Sequence, residues 1–157
     1  MRKTRLMMVE DERIIALHLK QRLVEFDYDV CAQVASGEQA LEKAEQLRPD
    51  LVLMDIHLEG KMDGIEAARA IHARFRIPVI LLTAYAEEDT INRAKSSLAY
   101  GYLVKPCDSR ELHATLQMAL VRRAVEARLE RRAAALGARR RSTWGLGPAL
   151  FGQARSP

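Results

Sequence analysis

Over the first 121 residues two hydrophobic patterns alternate. Short aliphatic runs form one of them: Leu6-Met7-Met8-Val9, Val30 to Val34, Leu51-Val52-Leu53-Met54, Val79-Ile80-Leu81-Leu82 and Tyr102-Leu103-Val104. The third and fourth runs show no polar alternation. Strands covered on both faces look like that, and they belong to parallel sheets flanked by helices. Between the runs the spacing becomes helical. Ile15, Leu19, Leu23 and Phe26 line one helix face, as do Ala40, Leu41, Ala44 and Leu47, and then Ile65, Ala68 and Ile71. Residues 86–99 predict a thinner helix, with Ile91, Ala94 and Leu98 as its apolar face, and Leu112, Leu116 and Ala119 predict a last one.

Helix starts are also marked. Ser36, Asp63 and Asp108 each precede Gln39, Glu66 and Glu111 by three residues, the spacing of a capping box. Pro49 and Pro78 stand just before aliphatic runs, where a strand can begin without losing a ladder hydrogen bond. Strands alternating with helices in this way predict an α/β fold, a (βα)5 doubly wound parallel sheet with right-handed crossovers.

The helical pattern does not stop at the last helix. Val121, Val125, Leu129, Ala133 and Leu136 continue a stripe, and Gly137 reads as its C-terminal cap. Charge divides the chain at the same place. Residues 1–121 carry 16 Lys+Arg against 19 Asp+Glu, net −3, whereas residues 122–157 carry 9 Arg against 2 Glu, net +7. The expected organisation is one domain over 1–121 and, over 122–157, an extended basic C-terminal helix followed by a tail expected to be disordered in isolation. The tail has no room for a winged-helix or helix-turn-helix output domain. Its Trp144, Leu146, Leu150 and Phe151 are apolar enough to dock on a partner.

Composition narrows the class. Of 157 residues, 48% are hydrophobic but only 5% aromatic, so the core must be aliphatic. No apolar run approaches membrane-spanning length and none resembles a signal-peptide core, so a cytoplasmic protein away from membranes is expected. Cys31 and Cys107 have no metal-like spacing and read as free thiols.

In a doubly wound sheet, ligands gather at the carboxyl ends of the strands. Glu10 and Asp11 follow the first run, Asp55 the third, Thr83 the fourth and Lys105 the fifth. Carboxylates that converge repel one another unless a cation sits among them. An oxygen-only donor set suits a hard ion such as Mg2+. A nucleophilic carboxylate, a lysine and a hydroxyl around such an ion make a phosphoryl-transfer site. A flavin-binding protein of the same fold class is disfavoured, because acids and a lysine crowd the place where a phosphate-cradling loop would be needed.

The segments VEDE, LVLMDIHLEGKMDGIEA, IPVILLTAY and GYLVKP, in this order and spacing over residues 4–121, resemble the receiver domain of two-component response regulators, a CheY-like family. The resemblance implies a flavodoxin-like strand order 2-1-3-4-5. It implies Asp55 as phosphoacceptor and Mg2+ held by Glu10, Asp11, Asp55 and the backbone carbonyl of His57, whose side chain would face solvent. Thr83 would hydrogen-bond the phosphoryl group and Lys105 would pair with it. Tyr102 would be an aromatic switch that turns inward when Thr83 moves, and the Lys105–Pro106 bond would be cis. His18, His72 and His113 have no convergent partners and read as solvated.

Three departures from the family pattern stand out. The acidic pair is Glu10-Asp11 instead of two Asp residues, the loop after Asp55 reads HLEGKMDG, and Cys107 stands where a Phe is common. The expected function is that of a phosphorelay response regulator, with a histidine kinase or phosphotransfer protein as donor and output through protein contact with an unknown partner. Enzyme activity beyond self-phosphorylation and autodephosphorylation is not expected. A relay intermediate that passes the phosphoryl group on is one alternative, and a nucleic-acid-binding regulator using the Arg-rich tail is another, less favoured one. Arginines along both flanks of the stripe allow at best a weak homodimer.

Overall fold

The computed structural model describes residues 2–84 and 87–145. In chain order the elements are β1 (Arg5–Val9), α1 (Arg13–Glu25), β2 (Asp29–Val34), α2 (Gly37–Leu47), β3 (Leu51–Asp55), α3 (Gly64–Phe75), β4 (Val79–Thr83), α4 (Glu88–Ser96), β5 (Gly101–Val104) and α5 (Ser109–Gly145). The strands form one parallel sheet in the order β2-β1-β3-β4-β5. Strand alternation then sends successive side chains to two separate cores. Met7, Val9, Val52, Met54, Val79 and Leu81 pack under α2, α3 and α4 with Ala40, Ala44, Ile65, Ile71 and Ala94. Leu6, Met8, Leu51, Leu53, Ile80 and Leu82 pack under α1 and α5 with Leu19, Leu23, Leu112 and Leu116. This two-sided burial is why β3 and β4 carry no polar alternation, and every residue of both strands is buried.

The expected caps form. Ser36 Oγ accepts from the Gln39 N–H at 3.2 Å, Asp63 Oδ1 from Glu66 at 2.9 Å, and Asp108 Oδ1 from Glu111 at 2.8 Å. Gln39 reaches back one residue further than a simple box requires, to the Ala35 N–H at 3.0 Å. The Lys105–Pro106 peptide is cis.

Several expectations need correction. In α1 the buried positions are Ala16, Leu19 and Leu23, while Ile15 and Phe26 are only half-buried at its margins. Leu98 does not belong to the apolar face of α4. The helix stops at Ser96, Ser97 Oγ bonds back to the Ala94 carbonyl, and Leu98 turns the chain at φ +65° and is 56% exposed. His72 and His113 are half-buried. His113 stacks on Phe26 at 4.5 Å, and His72 lies beside the Tyr100 hydroxyl at 3.4 Å. Those aromatic neighbours come from distant elements, so helical spacing alone could not reveal them.

Residues up to Arg122 make one compact unit and those from Arg123 a second. In the second, Gly137 does not cap the helix, which continues to Gly145. A glycine inside a helix costs only about 1 kcal/mol relative to alanine. Ala138 and Arg139 to Arg141 are good helix formers, and no proline follows before Pro148. Val125, Leu129 and Leu136 are each more than half exposed. Arg123 pairs with Glu126 and Glu130 along the helix surface. Tyr85, Ala86, Leu146, Leu150, Phe151 and the side chain of Trp144 lie outside the described residues, as does any order or disorder of residues 146–157.

Candidate functional site

Parallel pairing brings the carboxyl ends of β1, β3, β4 and β5 onto one rim. Each end carries a polar residue where an aliphatic strand has just finished, so the site is polar over an apolar floor. Glu10 and Asp11 follow β1, Asp55 and Thr83 are the last residues of β3 and β4, and Lys105 follows β5. Carboxylate oxygens of Glu10, Asp11 and Asp55 all lie within 4.8 Å of one another. Glu10, Asp55 and Thr83 are buried, and Asp11 is half-exposed.

Lys105 ties the cluster together. Its Nζ donates to Glu10 Oε2 at 2.7 Å and to Asp55 Oδ2 at 3.1 Å. Its backbone N–H donates to the Thr83 carbonyl at 2.7 Å, which locks the β5 end against the β4 end. The other carboxylate oxygens are held by backbone. Glu12 N–H donates to Glu10 Oε1 at 3.2 Å, and His57 N–H donates to Asp55 Oδ1 at 3.2 Å.

Electrostatics follow from this crowding. Burial raises the Glu10 carboxyl to about 7, with the Asp55 charge adding to the rise and Lys105 opposing it. Burial alone would lower the Lys105 ammonium, but Glu10 and Asp55 more than offset that and its pKa is raised. The set is therefore short of positive charge. Three hard oxygen donors with one lysine suit a divalent cation such as Mg2+, which accepts few protein ligands. Among the described residues no His or Cys joins the cluster.

The remaining expected residues fall as follows. The His57 side chain is exposed, and its backbone N–H meets Asp55 of the cluster. Tyr102 is half-buried against the core under α2 to α4, paired in register with Leu81. Cys107 lies just before the start of α5. Its carbonyl accepts from Arg22 Nη2 at 2.9 Å, and its side chain packs on the core under α1 and α5. Both Cys107 and Cys31 are free thiols.

Sequence reasoning missed three supports. A Cβ at Gly64 would lie 1.9 Å from the Asp55 carbonyl oxygen, so only glycine lets α3 start against the end of β3. The glycine in the MDG segment was the available signal. Glu38 Oε1 accepts from the Met62 N–H at 3.1 Å and so pins the loop after Asp55 to α2. Asp63, besides capping α3, forms an ion pair with Arg93 of α4. Nothing in local sequence spacing announces either long-range contact.

The comparisons with known proteins agree on this architecture. The family model for the response regulator receiver domain matches residues 6–117. Transcriptional regulatory protein PdtaR of Mycobacterium tuberculosis is 36% identical over 118 residues, covering 75% of this chain and 57% of the relative. Transcriptional regulatory protein AfsQ1 of Streptomyces coelicolor is 36% identical over 117 residues, covering 74% of this chain and 51% of the relative. The chain thus spans little more than half the length of these curated relatives. Among solved structures, the signal receiver domain of a modulated diguanylate cyclase from Desulfovibrio desulfuricans G20 superposes with a TM-score of 0.75 at 36% identity, covering 80% of this chain and 99% of that one. A CheY-like receiver domain protein from Methanospirillum hungatei JF-1 gives 0.72 at 28% identity, with coverage of 80% and 99%.

Proposed function

The chain belongs to the response regulator receiver family, and from that premise we propose that it is a phosphorelay switch whose Asp55 takes a phosphoryl group from a histidine kinase or phosphotransfer protein. The receiver is residues 1–121, and residues 122–157 are a basic extension. The observation that supports this most is the Lys105 bridge between Glu10 and Asp55 inside a three-carboxylate cluster.

In the proposed reaction an Asp55 carboxylate oxygen attacks phosphorus. The P–N bond to the donor imidazole breaks, the imidazole leaves with a proton, and Asp55 becomes an acyl phosphate. Glu10, Asp11, Asp55 and the His57 carbonyl would hold Mg2+, which when bound neutralises charge on the transferring group. Lys105 would turn from Asp55 to a phosphoryl oxygen, and the Thr83 hydroxyl would donate to another. Movement of Thr83 would then let Tyr102 turn inward, shifting a two-state equilibrium that remodels the face formed by α4, β5 and α5.

Output is by contact with another protein, in the cytoplasm. Among the described residues no helix is long and apolar enough to cross a membrane. The exposed Val125, Leu129 and Leu136, flanked by arginines, favour an acidic partner over a strong homodimer. A relay intermediate is the alternative at the acceptor site, and stoichiometric back-transfer to a phosphotransfer histidine would reveal it. The arginine-rich helix keeps a nucleic-acid reading open as well, in keeping with the regulatory role printed for PdtaR. Salt-dependent binding lost on removal of residues 137–157 would reveal that one.

The test of the main reading is labelling with a small acyl phosphate and Mg2+. One phosphoryl group should add, labile to base and hydroxylamine, and Asp55→Asn should abolish it. Undiminished labelling of that variant would overturn the assignment.

A further inference from the structure

We propose that Arg93 is a donor-specificity residue of the phosphoryl site, one that receives the anionic leaving group of a small acyl phosphate. This rests on Asp55 being the acceptor. A cavity of about 320 Å³ opens beside the end of β3, lined by Asp11, Ile56, His57, Leu58, Glu59, Asp63 and Arg93. Three of those side chains are carboxylates and one is a cation. The cavity adjoins the acceptor, because Asp11 shares a carboxylate cluster with Asp55 and the His57 N–H donates to Asp55 Oδ1. A carboxylate released from the donor on this side of Asp55 meets Asp11, Glu59 and Asp63, each of which repels it. Arg93 is the opposing charge.

The arginine is held in position and yet available. Asp63 Oδ1 is committed to the Glu66 N–H as the cap of α3, while Oδ2 takes Arg93 Nη2. The cap fixes the carboxylate, and the carboxylate fixes the guanidinium at the cavity wall. The Arg93 side chain is 52% exposed, so its remaining donors face solvent that a ligand can displace. A guanidinium presents five N–H donors in a fork that matches a carboxylate, and one ion pair does not exhaust them.

The chemistry identifies the donor class. When Asp55 attacks an acyl phosphate, the Asp55 O–P bond forms and the P–O bond to the acyl group breaks. The acyl group leaves as a carboxylate with both electrons of that bond, and no proton is needed. A nearby guanidinium stabilises the charge developing on the departing oxygen. When the donor is a phosphoramidate or phosphohistidine, the P–N bond breaks and the nitrogen leaves protonated. No anion develops there, and Arg93 has nothing to stabilise.

Acetyl phosphate and phosphoramidate are small donors that differ in this respect, so their labelling rates on the full chain with Mg2+ form the test. Arg93→Gln should slow acetyl phosphate about three- to tenfold, the range expected for one lost charge-assisted contact at a half-exposed site. It should leave phosphoramidate unchanged, which also shows that the variant is folded. Arg93→Lys should recover most of the loss. Asp63→Asn keeps an oxygen that can cap α3 but puts an amide nitrogen where Oδ2 accepts from Arg93, so it should also slow acetyl phosphate and leave phosphoramidate unchanged. Equal slowing of both donors by Arg93→Gln, or of neither, overturns the inference. So does equal slowing of both donors by Asp63→Asn, which would make the pair a conformational latch. If neither donor labels Asp55 in the wild type, the acceptor reading itself falls and this inference falls with it.

Discussion

β3 and the helix from Arg123 to Gly145 are both rich in aliphatic side chains, but they use them in opposite ways. In β3, Leu51, Leu53, Val52 and Met54 are divided between two cores and none is exposed. In the helix, Val125, Leu129 and Leu136 are 52%, 58% and 61% exposed. The strand's sequence is constrained by what lies above and below it. The helix's stripe stays more than half exposed within its own unit. The same contrast holds for charge. At the end of β3 a buried Asp55 is answered by Lys105, whereas along the helix Arg123 is answered by Glu126 and Glu130 and most other arginines face solvent.

The largest expected effect tests that contrast directly. Leu53→Ala should destabilise the protein by about 2–5 kcal/mol, because it leaves a cavity in a closed core. Leu129→Ala should change stability by less than about 0.5 kcal/mol, as for an exposed position. Urea unfolding of the two variants measures both. Equal losses would mean that the stripe is already buried in the free protein.

A second effect concerns the buried charge. Glu10 sits near 7 in the fold against about 4.5 when unfolded. The folded state therefore holds its proton more tightly. Its contribution favours folding below about pH 4.5 and is lost as pH rises through about 7. A cation bound among the carboxylates removes that penalty only where they are ionised. Mg2+ should therefore raise the melting temperature more at pH 8 than at pH 5, and equal shifts would count against the cluster as the binding site.

Much of this was legible in the sequence because burial leaves a pattern. The uninterrupted runs of β3 and β4 announced two covered faces, and the residue after each run announced the rim. The Ser36, Asp63 and Asp108 caps were legible for the same local reason. What was not legible depends on contacts between distant elements. Gly137 looked like a stop because glycine often is one, yet neighbouring alanine and arginine carry the helix past it. Leu98 fitted a helical spacing but is spent on the turn into β5. The Asp63–Arg93 and Glu38–Met62 contacts join residues that only the fold makes neighbours.

A smaller effect sharpens the local part of this account. Ser36→Ala should cost about 1 kcal/mol, since it leaves the Gln39 N–H without its cap oxygen. A loss of stability several times larger, read from the same urea curves, would mean that the Ser36 side chain does more than cap α2.

The central claim is that the strand-end rim directs phosphorylation to one carboxylate. Borohydride reduces an aspartyl phosphate to homoserine, which survives digestion and is read by peptide mass. After reaction with acetyl phosphate and Mg2+, homoserine should appear at position 55 and nowhere else. Homoserine at Asp11, or spread over several exposed carboxylates with position 55 intact, would contradict the account.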